Sequence, residues 1–253
     1  MHGRAIEIRG RALPYPAVCA PLVGRTHEAL LEECAVVCAR RPDVLEWRVD
    51  FFGALGDASR VVEAAQALRH MARDVPILFT RRHSREGGEK ITAHEPEVLA
   101  AYRAVCEAGL VDLIDYEMDN DAGCVAELRE LSQRTRVALV LSFHDFTRTP
   151  PFKELVACIV RAHELGADVA KVAVMPQSRD DVLALLAATS QASAQVPIPV
   201  ITMAMGPLGA ITRAGGWQFG SALTFAVGAS ASAPGQMPID DLRTVVAALE
   251  RAQ

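Results

Sequence analysis

Asp168-Val-Ala-Lys-Val-Ala-Val-Met175 is the stretch from which the rest of the chain can be read. A nearly unbroken apolar run of this length is a strand buried on both faces, as in parallel sheets covered by helices. One charge interrupts it, Lys171. Desolvation disfavours an ammonium there and draws the side chain toward the neutral amine, the form that attacks a carbonyl to make a Schiff base. The alternative is a strand lysine that snorkels to solvent or pairs with a carboxylate such as Asp168.

Similar runs occur at 17–23, 44–50, 75–81, 111–117, 136–143, 199–205 and 222–228, which with 168–175 makes eight. Between them lie Ala-, Leu-, Glu- and Arg-rich stretches of helical period at 27–40, 58–73, 95–108, 121–134, 151–165, 178–191 and 239–251. Thr26, Ser59, Pro96, Pro151 and Ser178 signal helix starts, and Gly109 and Gly166 signal stops. The crossover at 207–219 is rich in glycine and leaves room for only a short helix. Strict strand–helix alternation through 253 residues predicts an α/β protein, a single closed (β/α)₈ TIM barrel spanning 1–253. A nine-strand doubly wound sheet is the alternative. Residues 3–13 read as a β arm, a hairpin closing the bottom of the barrel at its N-terminal mouth.

Composition excludes several classes. With 51% apolar and 23% charged residues the chain has ample core and no disorder signature. A net charge of -5 gives no basic footprint for nucleic acid or an anionic membrane. No run reaches spanning length and the first residues lack a signal-peptide core, so a cytoplasmic protein is expected. The six cysteines, Cys19, Cys34, Cys38, Cys106, Cys124 and Cys158, have no paired metal spacing and read as reduced core thiols. Cys34 and Cys38 share a helix face, but two thiols alone make no zinc site.

A barrel gathers its active site at the carboxyl ends of its strands. In Glu46-Trp-Arg48-Val-Asp50, alternation sends the three charges inward and Trp47 and Val49 toward the helices. Such charges are expensive unless they pair with one another and with a ligand. The third strand ends in Thr80-Arg81-Arg82 before a loop carrying Glu86-Gly87-Gly88, the fourth bears Glu117, and the fifth delivers Ser142-Phe-His144-Asp145. His144 is either structural or a base that takes and returns a proton near neutrality. An iminium at Lys171 would acidify the adjacent carbon. His144 would then remove that proton and help a β-hydroxyl depart. Arg213, in a glycine-punctuated turn, suits a carboxylate. Gly215 and Gly216 also suit a phosphate, which stays open although no P-loop pattern is present. The segment 228–236 reads either as a lid that brings Ser232 and Gln236 to bound hydroxyls or as a solvated linker.

Almost end to end, the chain resembles type I 3-dehydroquinate dehydratases, the Schiff-base class. The resemblance is carried by Leu45-Glu-Trp-Arg-Val-Asp50, Phe79-Thr-Arg-Arg82 with Glu86-Gly-Gly88, Leu110-Val-Asp-Leu-Ile-Asp115, Ser142-Phe-His-Asp-Phe146, Ala170-Lys-Val-Ala-Val-Met-Pro176, the Arg213 turn and Ser232-Ala-Pro-Gly-Gln236. It implies a (β/α)₈ barrel, a homodimer, no metal or cofactor, and syn elimination of water from 3-dehydroquinate to 3-dehydroshikimate in the shikimate pathway of aromatic amino-acid biosynthesis. By the same resemblance Lys171 is the nucleophile, His144 the general acid/base and Glu86 its orienting partner. Glu46, Arg48 and Arg82 hold ring hydroxyls and polar groups, Arg213 the carboxylate, and Ser232 and Gln236 the lid contacts, with Met203, Met205 and Phe225 along the ring's apolar side. Cys19 stands where the family commonly has serine, and Met203-Ala-Met-Gly-Pro207 replaces a more hydroxylated turn. Arg48, Arg82 and Arg213 are expected to crowd Lys171 and favour its neutral form. Another class I Schiff-base aldolase or lyase, or a domain that only senses dehydroquinate, are the rival readings.

Overall fold

In the computed structural model the described residues are 3–229 and 233–252. All eight sequence-predicted strands form: β3 (Ala17–Leu22), β4 (Val44–Arg48), β5 (Ile77–Thr80), β6 (Leu113–Glu117), β7 (Ala138–Asp145), β8 (Val169–Val174), β9 (Val200–Ala204) and β10 (Leu223–Val227). They pair in parallel in that order, and β10 returns to β3. The join between β9 and β10 is a single bridge, Val200 to Ser221. There the Ser221 hydroxyl accepts from the backbone N–H of Thr202 at 3.0 Å and so replaces part of a ladder. The sheet therefore curls into a (β/α)₈ barrel, and the open doubly wound alternative falls. A ninth strand joins this sheet, β11 (Met237–Pro238), two residues paired with the edge of β10 away from β3.

The predicted helices appear as α1 (His27–Ala39), α2 (Ala58–Ala72), α3 (Glu95–Glu107), α4 (Ala122–Thr135), α5 (Phe152–Glu164), α6 (Arg179–Gln195) and α8 (Ile239–Glu250). The weak crossover holds only α7 (Ala210–Gly215), flanked by 3₁₀ turns. Thr26 and Ser178 cap α1 and α6 as their chemistry predicts. Ser59 does not cap α2. Asp57 stands before it and accepts from the N–H groups of Ser59 and Arg60, because a carboxylate satisfies two free donors at once. Gly109 and Gly166 leave α3 and α5 at φ +67° and +87°, a region glycine enters without steric penalty.

Alternation divides the core in two. Outward residues of the strands meet the helices, and the rings of Phe52, Trp47, Phe79, Tyr102 and Tyr116 meet edge to face in sequence across β4, β5 and β6. Inward residues at the bottom, including Ala17, Val44, Leu78, Leu113, Val140 and Val169, form an apolar plug. The N-terminal arm completes it. Strands β1 (Glu7–Ile8) and β2 (Arg11–Ala12) form the expected hairpin, and Ile6 and Ile8 are buried in the plug. Arg9 ties the arm to Asp112 at 2.6 Å. Water is thereby kept from the lower lumen, and the polar side chains above lie in a low-dielectric shaft.

Candidate active site

Register positions the chemistry. Ser142 on β7 pairs with Lys171 on β8, and His144 pairs with Ala173. The two side chains on β7 share a face, so His144 stands one pleat, about 6.6 Å of strand, above the lysine level. Lys171 is 4% exposed, with its Nζ 4.4 Å from the centre of the Phe225 ring. It does not pair with Asp168, which holds Arg129 at 2.8 Å and caps the N–H of Leu139. Its partners are Asp115 Oδ2 at 2.8 Å and Glu46 Oε1 at 3.6 Å.

This corrects the expectation that three arginines crowd the amine. Arg48 makes a two-pronged pair with Asp50, both bonds 2.8 Å. Arg82 donates to Asp115 at 2.7 Å, to Glu117 at 2.9 Å and to the Ser142 hydroxyl at 2.7 Å. Burial works to raise the Asp115 pKa, but Arg82 and Lys171 outweigh it and hold this carboxyl well below the usual range. The amine's immediate environment is thus a buried carboxylate shared with Arg82. Asp115 and Ser142, absent from the assigned roles, are the residues that sequence reasoning passed over. The signal was present: in Leu113-Ile-Asp-Tyr-Glu117 the same alternation that turned Glu46 and Arg48 inward turns Asp115 and Glu117 inward.

Above the lysine, Glu86 Oε2 lies 3.0 Å from His144 Nδ1 and also accepts the His144 backbone N–H at 2.9 Å. One carboxylate oxygen therefore fixes both the ring and its backbone. Burial, then the positive charges of Arg82 and Lys171, push the imidazole well below its ordinary pKa. Burial pushes the Glu86 carboxyl up to about 8, against the pull of Arg82. Both groups are driven toward their neutral forms. When Glu86 is ionised it accepts Nδ1–H and leaves Nε2 with a free lone pair, the arrangement a base needs.

Arg213, 1% exposed, is held by the Phe225 carbonyl at 3.3 Å and the Pro234 carbonyl at 3.1 Å. No carboxylate among the described residues pairs with it, its Nε has no partner, and burial lowers its pKa to about 10. A buried guanidinium in this state is a receptor for an anion. Gly215 and Gly216 do not line the cavity that Arg213 enters.

Glu46, Arg48, Arg82, Glu86, His144, Lys171, Met203, Met205, Arg213, Phe225 and Gln236 all line one cavity, together with Ala233. Ser232 lies outside the described residues. The enclosed space is about 40 Å³, far below the ~300–1,000 Å³ of ligand pockets in general, and Ala233 and Gln236 form part of its lining. A wider opening of about 690 Å³ lies at the opposite mouth beside Arg4 and Arg136, remote from lysine and histidine. Cys19 is fully buried in the apolar plug, where burial raises its thiol pKa well above normal. Gly206 lies at φ +69° and its N–H donates to Pro234 O at 3.2 Å, so the altered turn after β9 is bonded to the segment 233–236. Among the described residues there is no group of three or more His, Cys, Asp or Glu side chains able to hold a metal, and no helix is long and apolar enough to cross a membrane.

Comparison with known proteins bears on this constellation. A curated 3-dehydroquinate dehydratase of Albidiferax ferrireducens is 54% identical over 98% of this chain and 96% of its own length. The crystal structure of 3-dehydroquinate dehydratase from Geobacillus kaustophilus superimposes with a TM-score of 0.96 at 48% identity, covering 99% of this chain and 98% of that one. A type I 3-dehydroquinate dehydratase from Clostridium difficile, with covalently modified comenic acid, gives 0.94 at 36% identity over 99% of this chain and 100% of that one. The family model described as type I 3-dehydroquinase matches residues 18–253. With a lysine inside the barrel wall, an imidazole one pleat above it and homologues along nearly its whole length, the chain belongs to the type I 3-dehydroquinase family.

Proposed function

We propose that this chain is a 3-dehydroquinate dehydratase, a hydro-lyase that removes water from 3-dehydroquinate to give 3-dehydroshikimate through a Schiff base at Lys171. The observation that carries the reading is the buried Nζ of Lys171, 2.8 Å from Asp115 and in one cavity with His144 and Arg213. Lys171 attacks the ring ketone as the neutral amine, an amine proton passes to the carbinolamine oxygen, and that oxygen leaves as water as the iminium forms. His144 Nε2 takes the C2 proton, and the electron pair of that bond flows into the iminium to make an enamine. The enamine then expels the C1 hydroxyl as water with the proton returned by His144, and hydrolysis frees the product and the amine. Arg213 takes the substrate carboxylate, Glu46, Arg48 and Arg82 take its polar groups, Gln236 and Ser232 belong to the lid, and Met203, Met205 and Phe225 bear on the ring. No metal or cofactor is needed for any of these steps.

Borohydride reduction in the presence of 3-dehydroquinate, followed by mass spectrometry, should leave the reduced adduct on the peptide bearing Lys171. Steady-state absorbance of the conjugated product should rise with it. An adduct without that rise supports another Schiff-base lyase or aldolase. Binding with neither supports a sensor.

Two quantitative expectations follow from the site. Because the base form of His144 needs an ionised Glu86, and Glu86 is pushed up to about 8, kcat/KM should climb with pH and level off above about 8. A flat profile between about pH 5 and 9 contradicts this assignment. Replacing Arg213 with methionine should raise KM by about 100-fold while changing kcat much less, as loss of a charged carboxylate contact does. We infer further that the chain acts as one catalytic domain, in the cytoplasm, as a homodimer. All six thiols are free, in keeping with a reducing compartment. Light scattering should give twice the 27.2 kDa chain mass, and the chain mass itself would refute the dimer.

A further inference from the structure

Arg81 is a buried charge to which the chemistry above assigns no task. Alternation along β5 turns it away from the lumen, into the layer between strands and helices. Its guanidinium is 1% exposed, lies 5.4 Å from the centre of the Tyr116 ring, and pairs with Glu95 at the start of α3. Its Nε has no hydrogen-bond partner. An apolar side chain of similar volume would fill this place with less desolvation, so the cation is poorly explained by packing.

Its other contact leads inward. Arg81 Nη1 lies 3.8 Å from Glu117 Oε2 at the rim of the barrel. From there the charges alternate: Arg82 Nη1 donates to Glu117 Oε1 at 2.9 Å, Arg82 Nη2 to Asp115 Oδ1 at 2.7 Å, and Lys171 Nζ to Asp115 Oδ2 at 2.8 Å. Tyr102 locks the two strands at this level, since its hydroxyl accepts from the Arg81 N–H at 2.8 Å and donates to the Asp115 carbonyl at 2.7 Å. We propose that Arg81 is a positioning residue for the dehydration, acting through Glu117, Arg82 and Asp115 on the amine of Lys171. The proposal rests on the reading of Lys171 as nucleophile.

The physical argument is one of shared partners. Glu117 is fully buried and has two cations near it, Arg81 outside the wall and Arg82 inside. With Arg81 gone, Glu117 keeps the neutral donors His83 N–H at 2.7 Å and Asn120 Nδ2 at 2.8 Å, but Arg82 becomes its one cation among the described residues and is pulled from Asp115. Asp115 is left with Lys171 as its main partner and holds the ammonium more firmly. The amine is then released to attack less readily, and imine formation slows. Groups joined in one buried ionic network couple in this way beyond their direct contacts.

The test compares wild type, Arg81→Met, which keeps most of the volume, and Arg81→Lys, which keeps the charge. Turnover of 3-dehydroquinate, the rate of borohydride trapping and thermal melting are read on each. Trapping of the wild type at Lys171 is the control that secures the underlying reading. Arg81→Met should lose about tenfold in both kcat and trapping rate, with KM within about threefold, and Arg81→Lys should recover to within about threefold of wild type. A melting temperature that falls while kcat and trapping stay at wild-type values overturns the proposal, because that is what a purely structural role predicts. So does a loss that the lysine variant fails to recover. Glu117→Gln, alone and combined with Arg81→Met, leaves no lone buried carboxylate and serves even if the single arginine variant does not fold. Equal kcat in those two supports action through Glu117, and a further tenfold loss in the double variant overturns it.

Discussion

Lys171→Ala is expected to lose about 10⁵-fold or more in kcat, with no borohydride-trapped adduct on the chain. No other amine can replace it: among the described residues that line the cavity there is no second lysine. The substitution also leaves Asp115 and Glu46 without the cation that sits 2.8 and 3.6 Å from them. Breaking a buried pair from one side commonly costs about 3–5 kcal/mol. Here Arg82 still holds the other oxygen of Asp115, so the loss should fall at or below the low end and the variant should fold. Circular dichroism and melting separate the two effects. Residual turnover within 100-fold of wild type in the folded variant would sink the Schiff-base assignment.

His144→Ala should lower kcat by about 10³- to 10⁴-fold while leaving Schiff-base formation intact. The reason is geometric. Lys171 is paired with Asp115 and Glu46 and not with the imidazole, whose only side-chain hydrogen bond among the described residues is to Glu86. A variant that still forms a borohydride-reducible adduct but no longer strips the C2 proton would show wild-type trapping and slow exchange of that proton with deuterium. Loss of trapping together with turnover would mean that His144 acts before the imine and would remove it from the elimination step. With Glu86→Gln the climb in kcat/KM toward pH 8 should disappear, since the group responsible for it has gone.

The architecture was legible because the residues that make it follow strict periods. Apolar runs gave eight strands within a few residues of their ends, and Thr26, Ser178, Gly109 and Gly166 marked helix limits by chemistry that acts locally. Asp57 was missed as a cap because serine and aspartate both suit the role, and only the backbone turn decides which stands first. The cavity was legible too, since inward alternation at the strand tops names its residues. What it did not reveal is who pairs with whom. Lys171 looked as if it belonged among arginines, yet β6 sets Asp115 beside it. That contact joins residues 56 apart in sequence and depends on register between strands, which no single strand's pattern contains. Roles for Lys171, His144 and Arg213 could be read from residue chemistry, whereas the substrate and the remaining side-chain roles came from resemblance. The geometry adds that no carboxylate among the described residues pairs with Arg213, a fact about three-dimensional neighbours that composition cannot supply.

The barrel wall is not equally knitted all round. Residues 140–145 pair without interruption with 169–174, so lysine and imidazole hang from doubly braced backbone. A quarter-turn round the wall, β9 and the start of β10 share a single bridge, Val200 to Ser221, and from its flanks come the arginine turn and the segment 233–236. Compliance is thus concentrated where cargo must pass, and stiffness where a proton must travel a short, fixed path. A cylinder with one loose stave admits a bulky ring without disturbing the alignment that the chemistry requires.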